Sequence, residues 1–218
     1  MKSKRLLLLF IMCFTQPGIA QRTLDVFNPY TPIAWLGLDF TLARFIGDHS
    51  RFTSIPRTQF LLEDLNDLMV NEKDKYDVGK MLGKGEVEMK INVTKDHNAA
   101  LDIDAVLADS LGAHHHLHQE EIQAIVESYE FKNNAGMGVM FIIESFNKKQ
   151  DEALIWITFI NMDTKEVLMT EKLGQSPVGF GLRNYWAGAI YGIMVRVRKS
   201  EYKKWQAKYL RNQGSQQK

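Results

Sequence analysis

The sequence predicts an α/β (α+β) fold, with a single mixed β-sheet of about five strands and three main helices packed on it. Two apolar runs, Val139–Ile143 and Ala153–Ile160, flank a polar stretch of hairpin-loop length, which predicts two long paired strands. Strand-like and helix-like segments also alternate along the 218 residues, and such mixed order favours a sheet covered by helices. Hydrophobic residues make up 45% of the chain, which is enough for a sizeable core.

The first 20 residues are typical of a secretory signal peptide. Lys2, Lys4 and Arg5 precede an apolar run, Leu6–Phe14, that is too short to span a bilayer. Small residues then lead to a cleavage point after Ala20. We therefore expect an exported bacterial protein, periplasmic or extracellular, with no transmembrane segment after signal cleavage.

The only cysteine, Cys13, lies inside this leader. Met12 before it is not the small residue that a lipoprotein signal requires, so we do not expect lipidation at Cys13. Without residues 1–20 the chain carries 24 basic and 26 acidic residues, so no basic excess favours nucleic-acid binding. Residues 21–210 are expected to form one domain held by its core alone, and residues 211–218 a flexible tail.

The first half of the chain predicts two strands and one main helix. Ile33–Phe40 is nearly all apolar, as in a central strand covered on both faces. A helix is expected over Pro56–Asn71, because its leucines share one face. Glu86–Val93 alternates apolar and polar residues, which predicts a half-buried strand.

The second half predicts two helices around the hairpin strands. Gln119–Tyr129 has the apolar spacing of an amphipathic helix. A short third strand is expected at Val167–Met169, followed by a break at Gly174–Gly181. The last helix is expected over Leu182–Tyr209, although Met194–Arg198 alternates and makes a strand the competing interpretation there.

Four histidines at positions 114, 115, 116 and 118 form a conspicuous local cluster. His114 and His118 are spaced to share one helical face and so to hold a metal ion together. Against this, the sequence places no carboxylate or cysteine as a further ligand, and histidines in a surface loop are the simpler interpretation. Metal binding through His114, His116 and His118 is therefore a compositional hypothesis.

No motif indicates an enzyme. Neither G-x-S-x-G nor H-E-x-x-H occurs, and the glycines around Lys84 do not have phosphate-loop spacing. Gly174–Gly181 precedes a helix whose free amides could take an anion, but a turn explains its composition better. We therefore expect no catalytic residue and no cofactor.

The last helix carries more aromatic residues than one buried stripe requires. Gly188 and Gly192 would also allow another backbone to approach closely. Tight packing on the protein's own sheet explains both features, and a contact surface for a protein partner or a second copy is the alternative. The candidate partner-binding residues are Tyr185, Trp186, Tyr191, Tyr202 and Trp205.

The order of elements resembles the small α/β domains of bacterial envelope proteins, such as the N-terminal domain of TolB and the curli-assembly lipoproteins. The resemblance runs from the first strand, Ile33–Phe40, through an aspartate-containing turn, Asn161–Lys165, to the closing helix that ends at Tyr209. The chain departs from those lipoproteins because its cysteine, Cys13, does not follow the small residue that a lipoprotein signal requires. The whole chain is also similar to exported Bacteroidetes proteins of unassigned function.

These resemblances imply an envelope-located binding or assembly module, and they bring no catalytic residues. We therefore expect an exported, non-enzymatic protein that binds another envelope component or itself. The alternative is a small-molecule or metal-binding protein, or an enzyme of unrecognised class, that uses the His114–His118 loop or the Gly174–Gly181 loop.

Overall fold

A single mixed β-sheet forms the centre of the molecule, and helices pack on both of its faces, which confirms the predicted fold class. The computed structural model describes residues 23–47, 55–108 and 116–216. The predicted signal peptide, Cys13 and His114 lie outside these described residues.

The strands and helices have the following bounds. The strands are β1 (Ala34–Asp39), β2 (Arg44–Ile46), β3 (Glu88–Met89), β4 (Leu107–Ala108), β5 (Met137–Asn147), β6 (Glu152–Asn161) and β7 (Glu166–Gln175). The helices are α1 (Ile55–Asn71), α2 (Val78–Leu82), α3 (Asn92–Asn98), α4 (Ile103–Val106), α5 (Gln119–Ser128), α6 (Leu182–Arg196) and α7 (Tyr202–Gln216). A 3₁₀ turn, Thr23–Phe27, precedes β1, and a π-helical segment, Val197–Glu201, joins α6 to α7.

Strand β5 is the long central strand of the sheet. Strands β1 and β2 pair with it in parallel, one after the other along the same edge, with Ala34 opposite Gly138 and Ile46 opposite Asn147. Strands β3 and β4 lie outside β1 and β2, again in parallel. On the other side, β6 and β7 continue the sheet as an antiparallel meander. Because β1 and β2 share one position beside β5, and β3 and β4 share the next, the seven strands occupy five positions across the sheet.

The two faces of the sheet are covered by different elements. The larger core lies under α1, α2 and α6 and includes Trp35 and Phe141, whose rings meet edge to face with centroids 4.9 Å apart. The smaller core lies under α5, where Ile122 and Val126 belong to the same cluster as Met140. Because β5 is buried along its whole length, its sequence is a nearly unbroken apolar run rather than an alternating pattern.

The outer edge of β1 is paired mainly with side chains rather than with a neighbouring strand. Asn66 on α1 accepts a hydrogen bond from the Leu38 N–H at 2.8 Å and donates to the Leu38 carbonyl oxygen at 3.0 Å. Asn98 on α3 donates to the same oxygen at 2.8 Å and accepts from the Phe40 N–H at 3.1 Å. These amides satisfy backbone groups that would otherwise be buried without partners.

The strand predicted over Glu86–Val93 is much shorter in the structure, because only Glu88 and Met89 pair with β1 at the edge of the sheet. After them the chain turns into α3, where Thr94 donates its hydroxyl to the Leu36 carbonyl oxygen at 2.5 Å. The side chains of α3 thus replace the strand that the alternating pattern predicts. The alternating pattern of residues 86–93 cannot reveal the turn into α3, because the backbone groups that α3 bonds belong to β1, a distant segment of the chain.

The third strand and the last helix are both longer than predicted. Strand β7 pairs with β6 over its full length and ends at Gln175, six residues beyond the predicted Met169. From Leu182 the chain stays helical to Gln216, through the π-helical segment, so the competing strand at Met194–Arg198 is wrong. The helix also continues past Arg211, where we expected the tail to begin.

Candidate functional site

The two tryptophans among the candidate partner-binding residues lie in the larger core. Trp186 is fully buried, and its ring stacks on Phe146 with centroids 4.5 Å apart. Trp205 is also buried. In this fold neither indole is accessible to a partner, so tight packing within the protein explains why both tryptophans occur in the last helix.

The three candidate tyrosines are closer to the surface. Tyr185 and Tyr202 are half-buried, and their hydroxyls donate to Asp151 Oδ1 at 2.5 Å and to the Val26 carbonyl oxygen at 2.7 Å. Tyr191 is 38% exposed. The predicted residues are therefore spread between core and surface and do not form one continuous aromatic patch.

The glycines of α6 have a partner within the chain. A Cβ atom at position 188 would overlap the carbonyl oxygen of Val178, and one at position 192 would contact the Gln175 side chain. The connection between β7 and α6 therefore makes the close backbone approach at Gly188, while Gly192 leaves room for a side chain at the end of β7.

This connection projects two apolar side chains into solvent. Phe180 is 95% exposed and Val178 is 68% exposed. Two glycines with positive φ, Gly179 at 144° and Gly181 at 79°, flank the phenylalanine, and Pro177 is buried at the base. The backbone of the loop packs against α6 where Val178 approaches Gly188, while the Phe180 side chain extends into solvent.

A third exposed apolar residue lies on the neighbouring helix α1. Phe60 is 66% exposed, and Asp64, one turn later on the same side of α1, forms an ion pair with Arg183 at 3.2 Å. Since Arg183 lies three residues after Phe180, this ion pair brings α1 and the loop together. We call Phe60, Val178 and Phe180 the Phe180 surface.

A buried carboxylate lies on the other face of the sheet. Glu144 on β5 is fully buried, and its oxygens lie 2.7 Å from Nδ1 of His116 and accept a hydrogen bond from Trp156 Nε1 at 2.8 Å. Lys172 Nζ and the Leu117 N–H also reach it, each at 3.2 Å. Glu144 therefore fastens the chain before α5 to three strands of the sheet.

These partners keep Glu144 ionised. Burial by itself would raise the pKa of this carboxyl, but the hydrogen bonds from His116 and Trp156 and the charge of Lys172 outweigh burial and lower that pKa. His116, Leu117, Trp156 and Lys172 together surround this carboxylate in the manner of a structural ion network.

A second buried carboxylate, Asp39, ends strand β1. It accepts hydrogen bonds from the hydroxyls of Thr41 at 2.7 Å and Tyr129 at 2.5 Å, and His97 stacks on the Tyr129 ring with centroids 4.1 Å apart. Burial raises the pKa of Asp39, and burial together with that carboxyl raises the pKa of Tyr129 well above its usual range. Both groups are almost completely enclosed, and their hydrogen bond joins the end of α5 to β1.

The predicted metal ligands do not form a site within the part of the chain that the structure describes. There, no three His, Cys, Asp or Glu side chains are grouped to hold a metal ion. His116 contacts Glu144, while the His118 backbone N–H donates to Glu121 Oε2 at 2.9 Å at the start of α5. His114 lies outside the described residues, so the prediction for the full trio stays a prediction.

Two clefts among the described residues lie away from the Gly174–Gly181 connection. A cleft of about 470 Å³ opens at the amino ends of β1 and β5, beside Glu86 and Glu88. A smaller one of about 260 Å³ lies beside His97 and Tyr129. Neither is lined by residues of the Gly174–Gly181 connection.

Comparisons with known proteins give no relative to guide the interpretation. No family model, no curated protein and no solved structure matches the chain. Across residues 23–47, 55–108 and 116–216, no helix has the length and apolar character needed to cross a bilayer.

The residues of the Phe180 surface are not singled out by motifs or by spacing. A signal for two of them is nevertheless present, since Val178 and Phe180 are large apolar residues in a stretch otherwise rich in Gly, Pro and Ser. Phe60 gives no such signal, because an apolar residue of an amphipathic helix is normally assigned to its buried face.

Proposed function

We propose that this protein is an exported, non-enzymatic module that binds another protein of the cell envelope through the Phe180 surface. The observation that supports the proposal most directly is the 95% exposure of Phe180 on a loop whose backbone packs against α6. Because the backbone of this loop already packs against α6, binding requires ordering of the side chain but not of the loop, and the exposed aromatic ring can fill a pocket on a partner.

The surroundings of Phe180 support a protein partner. Val178 is a second exposed apolar residue on the same loop, and Phe60 lies on α1 one turn before Asp64, whose ion pair with Arg183 joins α1 to the start of α6. Clusters of exposed apolar residues with a polar rim are typical of protein interfaces. Export remains an expectation from the first 20 residues, and cell fractionation tests it separately.

Site-specific photo-crosslinking tests the proposed surface. A photoreactive phenylalanine analogue is placed at Phe180 in one variant and at Tyr30 in another, because Tyr30 is also an aromatic residue and is 90% exposed. We expect a discrete crosslinked product with an envelope protein from position 180 and none from position 30. Products from both positions, or from neither, would contradict the proposal.

A matched pair of substitutions checks the same surface without a crosslinker. Phe180→Ser is expected to abolish capture of the crosslinked partner, while Tyr30→Ser is expected to leave it unchanged. Equal capture by both variants would show that the partner binds elsewhere on the molecule.

A further inference from the structure

We propose that the C-terminal helical segment binds the anionic surface of a phospholipid membrane. Residues 196–211 hold seven basic residues and one acidic residue, Glu201, whereas residues 21–195 hold 16 basic and 25 acidic residues. The charge of the chain is therefore strongly asymmetric, with the positive end on one helix.

The positive side chains of this segment face solvent. The opposite side is held against the domain by Trp205, which is buried, and by Tyr202 and Tyr209, whose rings lie 5.4 and 6.2 Å from that of Phe27. We define the basic face by the exposed cationic residues Arg198, Lys199, Lys203, Lys204, Lys208 and Arg211. Because the aromatic side anchors the helix, these charges are presented from a fixed scaffold.

Only part of this charge is neutralised within the protein. Lys204 pairs with Glu201 at 3.0 Å and Lys208 pairs with Glu171 at 2.6 Å. Within the described residues, Arg198, Lys199 and Lys203 form no ion pair. The basic face therefore keeps a positive potential that attracts a polyanion.

The composition of the basic face favours a membrane over a nucleic acid. Proteins that bind single strands stack bases on exposed aromatic rings, but the aromatic residues of this helix face the domain. Lysines act as hydrated point charges, which suits diffuse attraction to anionic headgroups. Leu210, which is 52% exposed beside Arg211, adds an apolar contact at the headgroup level.

This face is separate from the Phe180 surface, and the proposal does not rest on the protein partner. Phe180 precedes α6 and the basic face follows it, so a helix of 15 residues lies between them. One molecule could therefore contact a membrane and a partner protein at the same time.

Vesicle co-sedimentation tests the proposal on residues 21–218, which contain every element that the structure describes. We expect binding to vesicles of phosphatidylcholine mixed with phosphatidylglycerol, and none to vesicles of phosphatidylcholine alone. Raising NaCl from about 0.05 M to about 0.5 M should release the protein, because exposed charges are screened at high ionic strength. Absence of binding to the anionic vesicles would overturn the proposal.

A pair of double variants locates the binding surface. Lys199→Glu with Lys203→Glu replaces two positive charges of the basic face by negative ones, and we expect affinity for the anionic vesicles to fall at least about tenfold. Lys132→Glu with Lys149→Glu changes the net charge equally at exposed positions outside this helix, and we expect little effect. An equal loss in both variants would overturn the proposal, as would tighter binding to a single-stranded DNA oligomer than to the vesicles at the same salt.

Discussion

The Glu144 carboxylate accepts a hydrogen bond from the Trp156 indole at 2.8 Å, across the pair of strands at the centre of the sheet. Both side chains lie on the face that α5 covers, and Glu144 also holds the Leu117 N–H just before that helix. This contact therefore links the packing of the sheet to the position of α5.

Replacing Glu144 is expected to destabilise the fold. Glu144→Ala leaves the Trp156 and Leu117 N–H groups without their acceptor, and we expect a loss of about 2–4 kcal/mol in the free energy of unfolding. Glu144→Gln keeps an acceptor but removes the charge, so the loss should be about 1–2 kcal/mol. Urea denaturation measures both, and equal losses would show that the charge and the acceptor do not act as described.

Glu144 also predicts how stability depends on pH. Its folded-state pKa lies below the ordinary value of 4.5, so its stabilising contribution is present above about pH 4.5 and is lost as pH falls through the folded-state pKa. The difference in unfolding free energy between the wild-type protein and Glu144→Gln should therefore shrink on acidification. A constant difference down to strongly acidic pH would contradict the lowered pKa.

The side-chain pairing of β1 predicts a large effect from a single amide. Asn66→Ala leaves the buried N–H and carbonyl of Leu38 without their α1 partner, which is expected to cost about 2–3 kcal/mol of unfolding free energy. Asn184→Ala is the control, because among the described residues the side chain of this exposed amide accepts a hydrogen bond from its neighbour Arg183 and bonds no buried backbone. Similar effects from the two changes in thermal denaturation would argue against the pairing.

Two glycines of α6 are expected to respond differently to a methyl group. Gly188→Ala forces a Cβ atom against the backbone of Val178 and should destabilise the protein by about 1–3 kcal/mol, despite the better helix propensity of alanine. Gly192→Ala meets only the Gln175 side chain, which can move, so its effect should be near zero or stabilising. The midpoints of chemical unfolding rank the two variants, and the reverse order would contradict this packing.

Phe180 is expected to contribute nothing to the stability of the isolated protein. Because its side chain is 95% exposed, Phe180→Ser should change the unfolding free energy by less than about 0.5 kcal/mol. A loss well above that value in calorimetry would mean that the ring packs on the protein itself, and the Phe180 surface would then not be a docking surface.

The sequence is most informative where burial is uniform or strictly periodic. The runs that form β5 and β6 are apolar because both faces of the central strands are covered, and the leucines of α1 mark the one face that packs on the sheet. Such patterns are local, so they can be recognised without knowing what the element packs against.

The sequence is least informative where a polar group satisfies a distant backbone or charge. The charged residues of β7 obscure its strand pattern, because Lys172 and Glu171 are neutralised by Glu144 on β5 and Lys208 on α7. The strand predicted at Glu86–Val93 is limited to Glu88–Met89 for a related reason, since α3 provides side chains that bond to β1.

By itself, the sequence determined the α/β class, the hairpin strands and the helices α1 and α5, because local periodicity records which face of each element is buried. Only the tertiary structure decided which aromatic residues face solvent. Trp186 and Trp205 became core while Phe180 and Phe60 did not, because exposure depends on which elements meet, and contacts between distant segments leave no local pattern.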